Sequence, residues 1–154
     1  MRRVLSALAL VALLVAALPG CGGSDAKDAN TYVTAVNRSQ DQFATTFDRL
    51  SKKITSTSTP EQDQRTLDGF KAAVDKVVGD LRAVKVPTKV KDLHAQLIAE
   101  LAAYGREIDR AKAAFARGDA ASIARAQTEL AGAVTRVDTQ INQTIAAINK
   151  KLRD

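Results

Sequence analysis

Apolar residues recur along most of this chain at spacings of three and four, and this pattern predicts amphipathic helices. One face of an α-helix stays apolar under that spacing, because the helix completes a turn in about 3.6 residues. The first stripe starts near Asp28 and comprises Val33, Val36, Gln40, Phe43, Phe47, Leu50 and Ile54. The second comprises Leu67, Phe70, Val74, Val77, Leu81 and Val84. The third comprises Val90, Leu93, Leu97, Leu101, Tyr104, Ile108, Ala111 and Phe115. The fourth comprises Ile123, Gln127, Leu130, Val134, Val137, Ile141, Ile145, Ile148 and Leu152. We therefore expect four helices.

Residues that start and stop helices separate the four stripes. Between the first two, Thr59 can cap a helix, Pro60 suits its first position and Gln62 completes a capping box. Pro87 disfavours helical geometry at the residue before it and is expected to end the second helix there. The pair Gly118-Asp119 reads as a glycine stop followed by an acidic N-cap.

Four amphipathic helices joined by short connections favour an all-α fold, a single up-down-up-down four-helix bundle. Short connections make neighbouring helices antiparallel, so the start of the first helix, the Pro87 turn and the C-terminus should share one end. The alternative architecture is a long helical hairpin that dimerises. We expect the bundle, and a monomer rather than a dimer.

A different pattern precedes the stripes. Arg2 and Arg3 are followed by an apolar run over residues 4–18, which Pro19 then interrupts. A spanning helix needs about 20 apolar residues. A positively charged N-terminus followed by an apolar run shorter than a spanning helix is typical of a signal peptide. Residues 1–20 are therefore predicted to be a signal peptide.

The only cysteine in the chain, Cys21, comes directly after this leader. The segment Leu18-Pro19-Gly20-Cys21 resembles the lipobox of bacterial lipoproteins. That resemblance implies a diacylglyceryl group on the Cys21 thiol, cleavage before Cys21, and a lipid-anchored protein, with palmitate among its acyl chains, on the extracytoplasmic face of the cell membrane. We accordingly expect a signal peptide over 1–20, a lipidated cysteine with a flexible tether over 21–27, and the bundle domain over 28–154.

Composition supports a helical domain and narrows its partners. Ala, the best helix former, occurs 23 times after Cys21. The chain has 23 basic and 17 acidic residues, and two of the basic ones lie in the leader. The remaining excess is too small to indicate a nucleic-acid-binding surface. The two ends of the expected bundle carry the same small positive charge, which does not favour docking on anionic lipid.

No motif in the chain supports an enzyme, a metal site or a cofactor. His94 is the only histidine, and it lacks the Glu-x-x-His pattern of di-iron bundles because residue 91 is Lys. We expect His94 at the surface or its boundary, beside Leu93. Finding it buried next to two acids would favour catalysis again. Tyr104, Glu100 and Glu107 allow a proton-relay interpretation, but a solvated helix face is the commoner one.

The aromatic residues leave two interpretations open. Most lie on the apolar stripes, with Tyr32 at the border of the first, so they are expected to fill the core. A channel for a small apolar ligand between the helices is the alternative. Gln40 and Gln127, on otherwise apolar stripes, would then be its polar contacts.

Several segments resemble small helical lipoproteins of actinobacteria. They are Tyr32-Val33-x-x-Val36-Asn37-x-x-Gln40-x-x-Phe43, Pro87-x-x-Val90-x-x-Leu93-His94-x-x-Leu97 and Asn149-Lys150-Lys151-Leu152. The resemblance implies an envelope location and a helical fold, and brings no catalytic residues. We expect a non-enzymatic interaction or structural module that contacts an envelope protein or wall polymer. The alternative function is a carrier or sensor of a small apolar ligand.

Overall fold

Four helices follow one another along the chain, as the apolar stripes predict. The computed structural model describes residues 24–53, 58–117 and 119–154. Its helices are α1 (Ser24–Ser51), α2 (Pro60–Arg82), α3 (Lys91–Arg117) and α4 (Ala120–Arg153), with a single 3-10 turn at Thr88–Val90. No strand occurs within these residues. The all-α four-helix bundle is therefore confirmed, while the predicted signal peptide and Cys21 lie outside the described residues.

The helices pack in chain order, α1 on α2, α2 on α3 and α3 on α4. At one end, Lys85 Nζ lies 2.9 Å from Asp28 Oδ2, and Lys89 Nζ donates to the carbonyl of Leu152 at 3.5 Å. These contacts bring together the start of α1, the α2–α3 connection and the end of α4. We call this the proximal end; the opposite one is the distal end.

The predicted stripes form the core. Among the largest fully buried side chains are Val36, Val74, Leu81, Leu97, Ile108, Ile145 and Ile148. Gln40 and Gln127 are only half-buried, as are Ile123 and Leu130. None of the helices in the described part of the chain is both long enough and apolar enough to cross a membrane.

The capping predictions for α2 and α4 are confirmed. The backbone N–H of Gln62 donates to Thr59 Oγ1 at 3.3 Å, and the Thr59 N–H donates to Gln62 Oε1 at 2.8 Å. This reciprocal pair satisfies two of the amide groups that a helix start leaves without partners. Asp119 caps α4 through Oδ1, which accepts from the Ser122 N–H at 2.7 Å.

Two predicted boundaries differ from the structure. Helix α1 begins at Ser24, within the segment assigned to the tether, and Ala29 in its second turn is 2% exposed. Helix α2 ends at Arg82 instead of next to Pro87. The Leu81 carbonyl there accepts from the Val84 N–H at 3.1 Å, an i→i+3 bond that closes the helix early.

Two glycines in α2 differ in how much space surrounds them. A Cβ added at Gly69 would lie 2.8 Å from Leu50 Cδ2, so α1 approaches α2 closely at this point. A Cβ added at Gly79 would meet nothing within 4 Å. Gly79 therefore has no packing function, and its backbone freedom only weakens the helix.

We predict that Gly79→Ala raises the free energy of unfolding by about 0.5–1 kcal/mol, since alanine favours the helix over glycine by that amount. Chemical denaturation of the purified protein measures the change. Gly69→Ala is the matched control, and its gain should be smaller or reversed because Leu50 must move. An equal gain at both positions would contradict the close approach of α1 to α2.

Candidate functional site

The four helices converge on a cavity in the bundle core. Its volume is about 20 Å³. The lining residues, drawn from all four helices, are Val36, Ser39, Gln40, Phe43, Val77, Leu81, Leu97, Leu101 and Ile141. One water needs about 10–15 Å³. This cavity is therefore about the size of a single water molecule and too small for an organic ligand.

Phe43 lines this cavity, and its ring packs together with two further phenylalanine rings of the core. The Phe43 and Phe47 rings have centroids 5.9 Å apart, and the Phe47 and Phe70 rings 4.8 Å. Such distances are typical of aromatic rings in contact. Tyr104 is 5% exposed on α3. The predicted core filling agrees with this packing.

A polar contact inside the apolar core joins three helices. The Tyr32 hydroxyl from α1 lies 3.1 Å from Nδ1 of His94 on α3, and His94 Nε2 lies 3.0 Å from the Leu81 carbonyl of α2. Tyr32 is 0% exposed and His94 5%. The rings meet edge to face, with centroids 5.5 Å apart. We call this contact the Tyr32–His94–Leu81 bridge.

The hydrogen bonds of the bridge determine the tautomer of His94. A backbone carbonyl only accepts, so Nε2 must carry the proton that is donated to Leu81. In the neutral ring Nδ1 is then the acceptor, and the Tyr32 hydroxyl donates to it. Burial lowers the pKa of His94, although the bond to Leu81 opposes that effect. Burial also raises the pKa of Tyr32 to about 12. Both side chains are therefore neutral near neutral pH.

The prediction that His94 lies at the surface is wrong. Position 94 follows Val90 by four residues and precedes Leu97 by three, so it belongs to the buried face, whereas Leu93 is only half-buried. The three-four spacing alone could have placed it correctly. The groups bonded to His94 are a phenol and a carbonyl, not two acids, so the arrangement that would favour catalysis is not found around it.

A second polar cluster joins α3 to α4. The Thr144 hydroxyl donates to Glu100 Oε1 at 3.0 Å, and Gln96 Nε2 donates to both Glu100 Oε1 (2.9 Å) and Thr144 Oγ1 (3.0 Å). Glu100 Oε2 is buried without a hydrogen bond. The proton relay considered for Tyr104, Glu100 and Glu107 is not assembled, because Glu107 instead pairs with Arg110 at 2.7 Å.

The described residues contain no group of three or more His, Cys, Asp or Glu side chains placed to hold a metal ion. Cys21, the predicted lipidation site, lies outside this part of the chain. Gln40 lines the small cavity, and Gln127 does not. The two glutamines are therefore not brought together in one site.

Helix α4 presents a surface unlike the other three. No ion pair in the described part of the chain involves α4, whereas ion pairs join α1 to the α2–α3 connection and α2 to α3. Asp138 is the single ionisable residue of α4 between Arg136 and Lys150. Burial raises the pKa of Asp138. A hydrogen bond with Asn142 opposes that effect, and Asp138 is the one ionisable side chain in this stretch of α4.

The side of α4 turned away from α3 is lined with hydroxyl and amide groups. Asp138, Asn142 and Asn149 lie about 120–160° around the helix axis from Thr144, at 3.6 residues per turn. The buried oxygens Asp138 Oδ1 and Asn149 Oδ1 have no hydrogen-bond partner among the described residues. We call this surface the amide face; it comprises Thr135, Asp138, Thr139, Asn142, Gln143, Ala146 and Asn149.

Comparisons of the chain with protein-family models, with curated proteins and with solved structures gave no match.

The lowered pKa of His94 predicts that the bundle loses stability in mild acid. The unfolded chain binds a proton near pH 6.5 and the folded chain only at lower pH, so stability is complete above that pH and declines below it. The expected loss is up to about 1.4 kcal/mol per pH unit until the folded His94 also protonates. Denaturation at a series of pH values measures it.

His94→Gln separates this effect from other titrations. Glutamine does not ionise in this range, and His94 is the only histidine of the chain, so the variant should lose the pH dependence between about pH 7 and pH 5. It should also be less stable than the parent by about 1–3 kcal/mol at neutral pH, since partners in the bridge are left unsatisfied. An unchanged pH dependence would contradict the prediction.

Proposed function

We propose that this chain is a bacterial lipoprotein, held on the extracytoplasmic face of the cell membrane by acylated Cys21, whose bundle is a non-enzymatic interaction module. The carrying observation is the leader that ends in Leu18-Pro19-Gly20-Cys21 ahead of a helical domain without a spanning helix in its described part. Stable anchoring needs two membrane signals, such as two acyl chains, which lipoprotein-type acylation of Cys21 would supply.

The amide face of α4 is the proposed contact surface for the partner. A surface with few charges loses little hydration when it is covered, and charged residues are depleted at the centres of protein interfaces. The exposed side chains of Thr135, Thr139 and Gln143 on this face carry oxygens that can accept hydrogen bonds from a partner. The partner class is an envelope protein or a wall polymer that presents N–H or O–H donors.

The alternative function, a carrier or sensor of a small apolar ligand, has less support. The cavity shared by the four helices is about the size of one water, and the Phe43, Phe47 and Phe70 rings are in contact. We keep the interaction module as the proposal.

Cys21→Ser tests the anchor. The thiol is the acylation site, so the variant should leave the membrane fraction and appear in the medium, or accumulate as an uncleaved precursor. Cell fractionation followed by mass spectrometry of the N-terminal peptide measures both outcomes. Acyl chains on the parent peptide would be direct support, and an unchanged membrane fraction of Cys21→Ser would refute the anchor.

Photo-crosslinking in cells tests the contact surface. Ala146 on the amide face and Ala72 on α2 are both exposed alanines, so a photoreactive residue at either position perturbs the bundle equally little. We expect a reproducible crosslink from position 146 and none from position 72. Mass spectrometry of the crosslinked product distinguishes a protein from a wall polymer.

The anchor provides a further control for the crosslinking. In the Cys21→Ser background the position-146 crosslink should weaken, because the partner and the bundle no longer share a membrane surface. Equal capture from positions 146 and 72 would contradict the amide face as the contact surface.

A further inference from the structure

The proximal end of the bundle carries a continuous basic surface. Between Leu81 and Asp92 the chain contains four basic residues and no acidic one. The last turn of α4 adds three more. Lys89 Nζ reaches the Leu152 carbonyl, which places the two segments side by side. We call this surface the basic tip; its exposed side chains are Arg82, Lys85, Lys89, Lys91, Lys150, Lys151 and Arg153.

The positions of the ion pairs show that the two ends of the bundle differ in how much of their basic charge is unpaired. Two proximal aspartates are already engaged: Asp28 pairs with Lys85 at 2.9 Å and Asp80 with Lys76 at 2.6 Å. Asp92 and Asp154 are also exposed at this end, so the six basic side chains without an ion pair outnumber these two carboxylates. Apart from Lys85, none of the basic-tip side chains has an ion-pair partner among the described residues. A count of charges alone treats the two ends as equal, but it ignores which of those charges are already paired.

At the distal end, ion pairs hold more of the basic side chains. Lys52 pairs with Asp48, Arg110 with Glu107 and Lys112 with Asp68, at 2.6–2.7 Å. The basic side chains free to meet an external anion are therefore concentrated at the proximal end.

Apolar groups lie within the basic tip. Val84, Val86 and Pro87 are each half-buried in the α2–α3 connection, next to Lys85 and Lys89. Surfaces that combine basic and apolar side chains bind the interface of anionic bilayers, where the charges meet headgroups and the apolar groups meet the acyl boundary.

The chain outside the structure joins the bundle at this same end. Helix α1 begins at Ser24, three residues after Cys21. Three residues span at most about 10 Å, comparable with the Debye length of about 8 Å at physiological salt. A lipid on Cys21 would thus keep the basic tip within electrostatic reach of the bilayer surface.

We propose that the basic tip docks on anionic lipid headgroups beside the anchor, so that the bundle stands on the membrane by its proximal end. The proposal rests on the acylation of Cys21. In this orientation the distal end points away from the bilayer, and the amide face of α4 stands beside the membrane, accessible to a partner.

The test measures the reactivity of individual lysines on lipidated protein purified from membranes. The protein is reconstituted into vesicles of phosphatidylcholine alone or of phosphatidylcholine with phosphatidylglycerol, labelled with an amine-reactive reagent and analysed by mass spectrometry. Lys89, Lys91, Lys150 and Lys151 should lose several-fold in reactivity in the anionic vesicles only. Lys53, exposed at the distal end, should be unchanged, and high salt should restore the reactivity of the other four.

A charge-neutralising variant and its control strengthen the assignment. Lys150→Gln combined with Lys151→Gln should reduce the protection of Lys89 and Lys91, because the anionic surface is held less strongly. Lys53→Gln should have no such effect. Equal lysine reactivity in both kinds of vesicle, or protection that does not depend on lipid charge, would overturn the docking.

Flotation of the same samples separates this proposal from the anchor. If the parent protein floats with both kinds of vesicle and the Cys21→Ser chain does not, the anchor stands and the lysine data alone decide the docking. If the parent floats with neither, the anchor fails and the docking falls with it.

Discussion

The hydrogen bond from His94 Nε2 to the Leu81 carbonyl connects the end of α2 to α3, and the arrangement of the proximal end depends on it. The carbonyl it uses is one of those that a helix end leaves without an intrahelical partner. With that carbonyl also bonded to the Val84 N–H, α2 closes at Arg82, and the chain beyond it is free to turn toward α3. The other ring nitrogen of His94 then fixes α1 through Tyr32. One neutral side chain thus sets how three helices meet at the proximal end.

The apolar spacing was enough to predict the helices but not this bridge. Four stripes of three-four spacing identify four helices, because a buried face leaves a local, periodic signal. Thr59 and Asp119 were equally predictable, since capping acts within four residues. The bond between His94 and the Leu81 carbonyl was not predictable in this way, because the two residues lie 13 positions apart and in different helices. The three-four spacing includes position 94 in the buried face. Because leucine is more often buried than histidine, however, Leu93 is the expected core residue and His94 the expected surface residue.

Tyr32 shows the same limit on α1. It was placed at the border of the first stripe, yet it is completely buried, as is Val36. Tyr32, Val36, Ser39 and Phe43 repeat at spacings of four, three and four, and all are buried. Ser39 escaped notice because it is polar. The width of a buried face depends on how many neighbours a helix has, and that is a property of the bundle, not of one stripe.

These constraints explain why the surfaces of the bundle are a better place to look for function than its interior. Enlarging the cavity at Phe43 to admit a ligand would separate rings that are in contact and strain side chains from all four helices. The surface, by contrast, differs from one helix to the next in how many of its charged side chains form ion pairs. Ion pairs join α2 to α3 and α1 to the α2–α3 connection. No ion pair among the described residues involves α4, and most lysines of the proximal end have no ion-pair partner there.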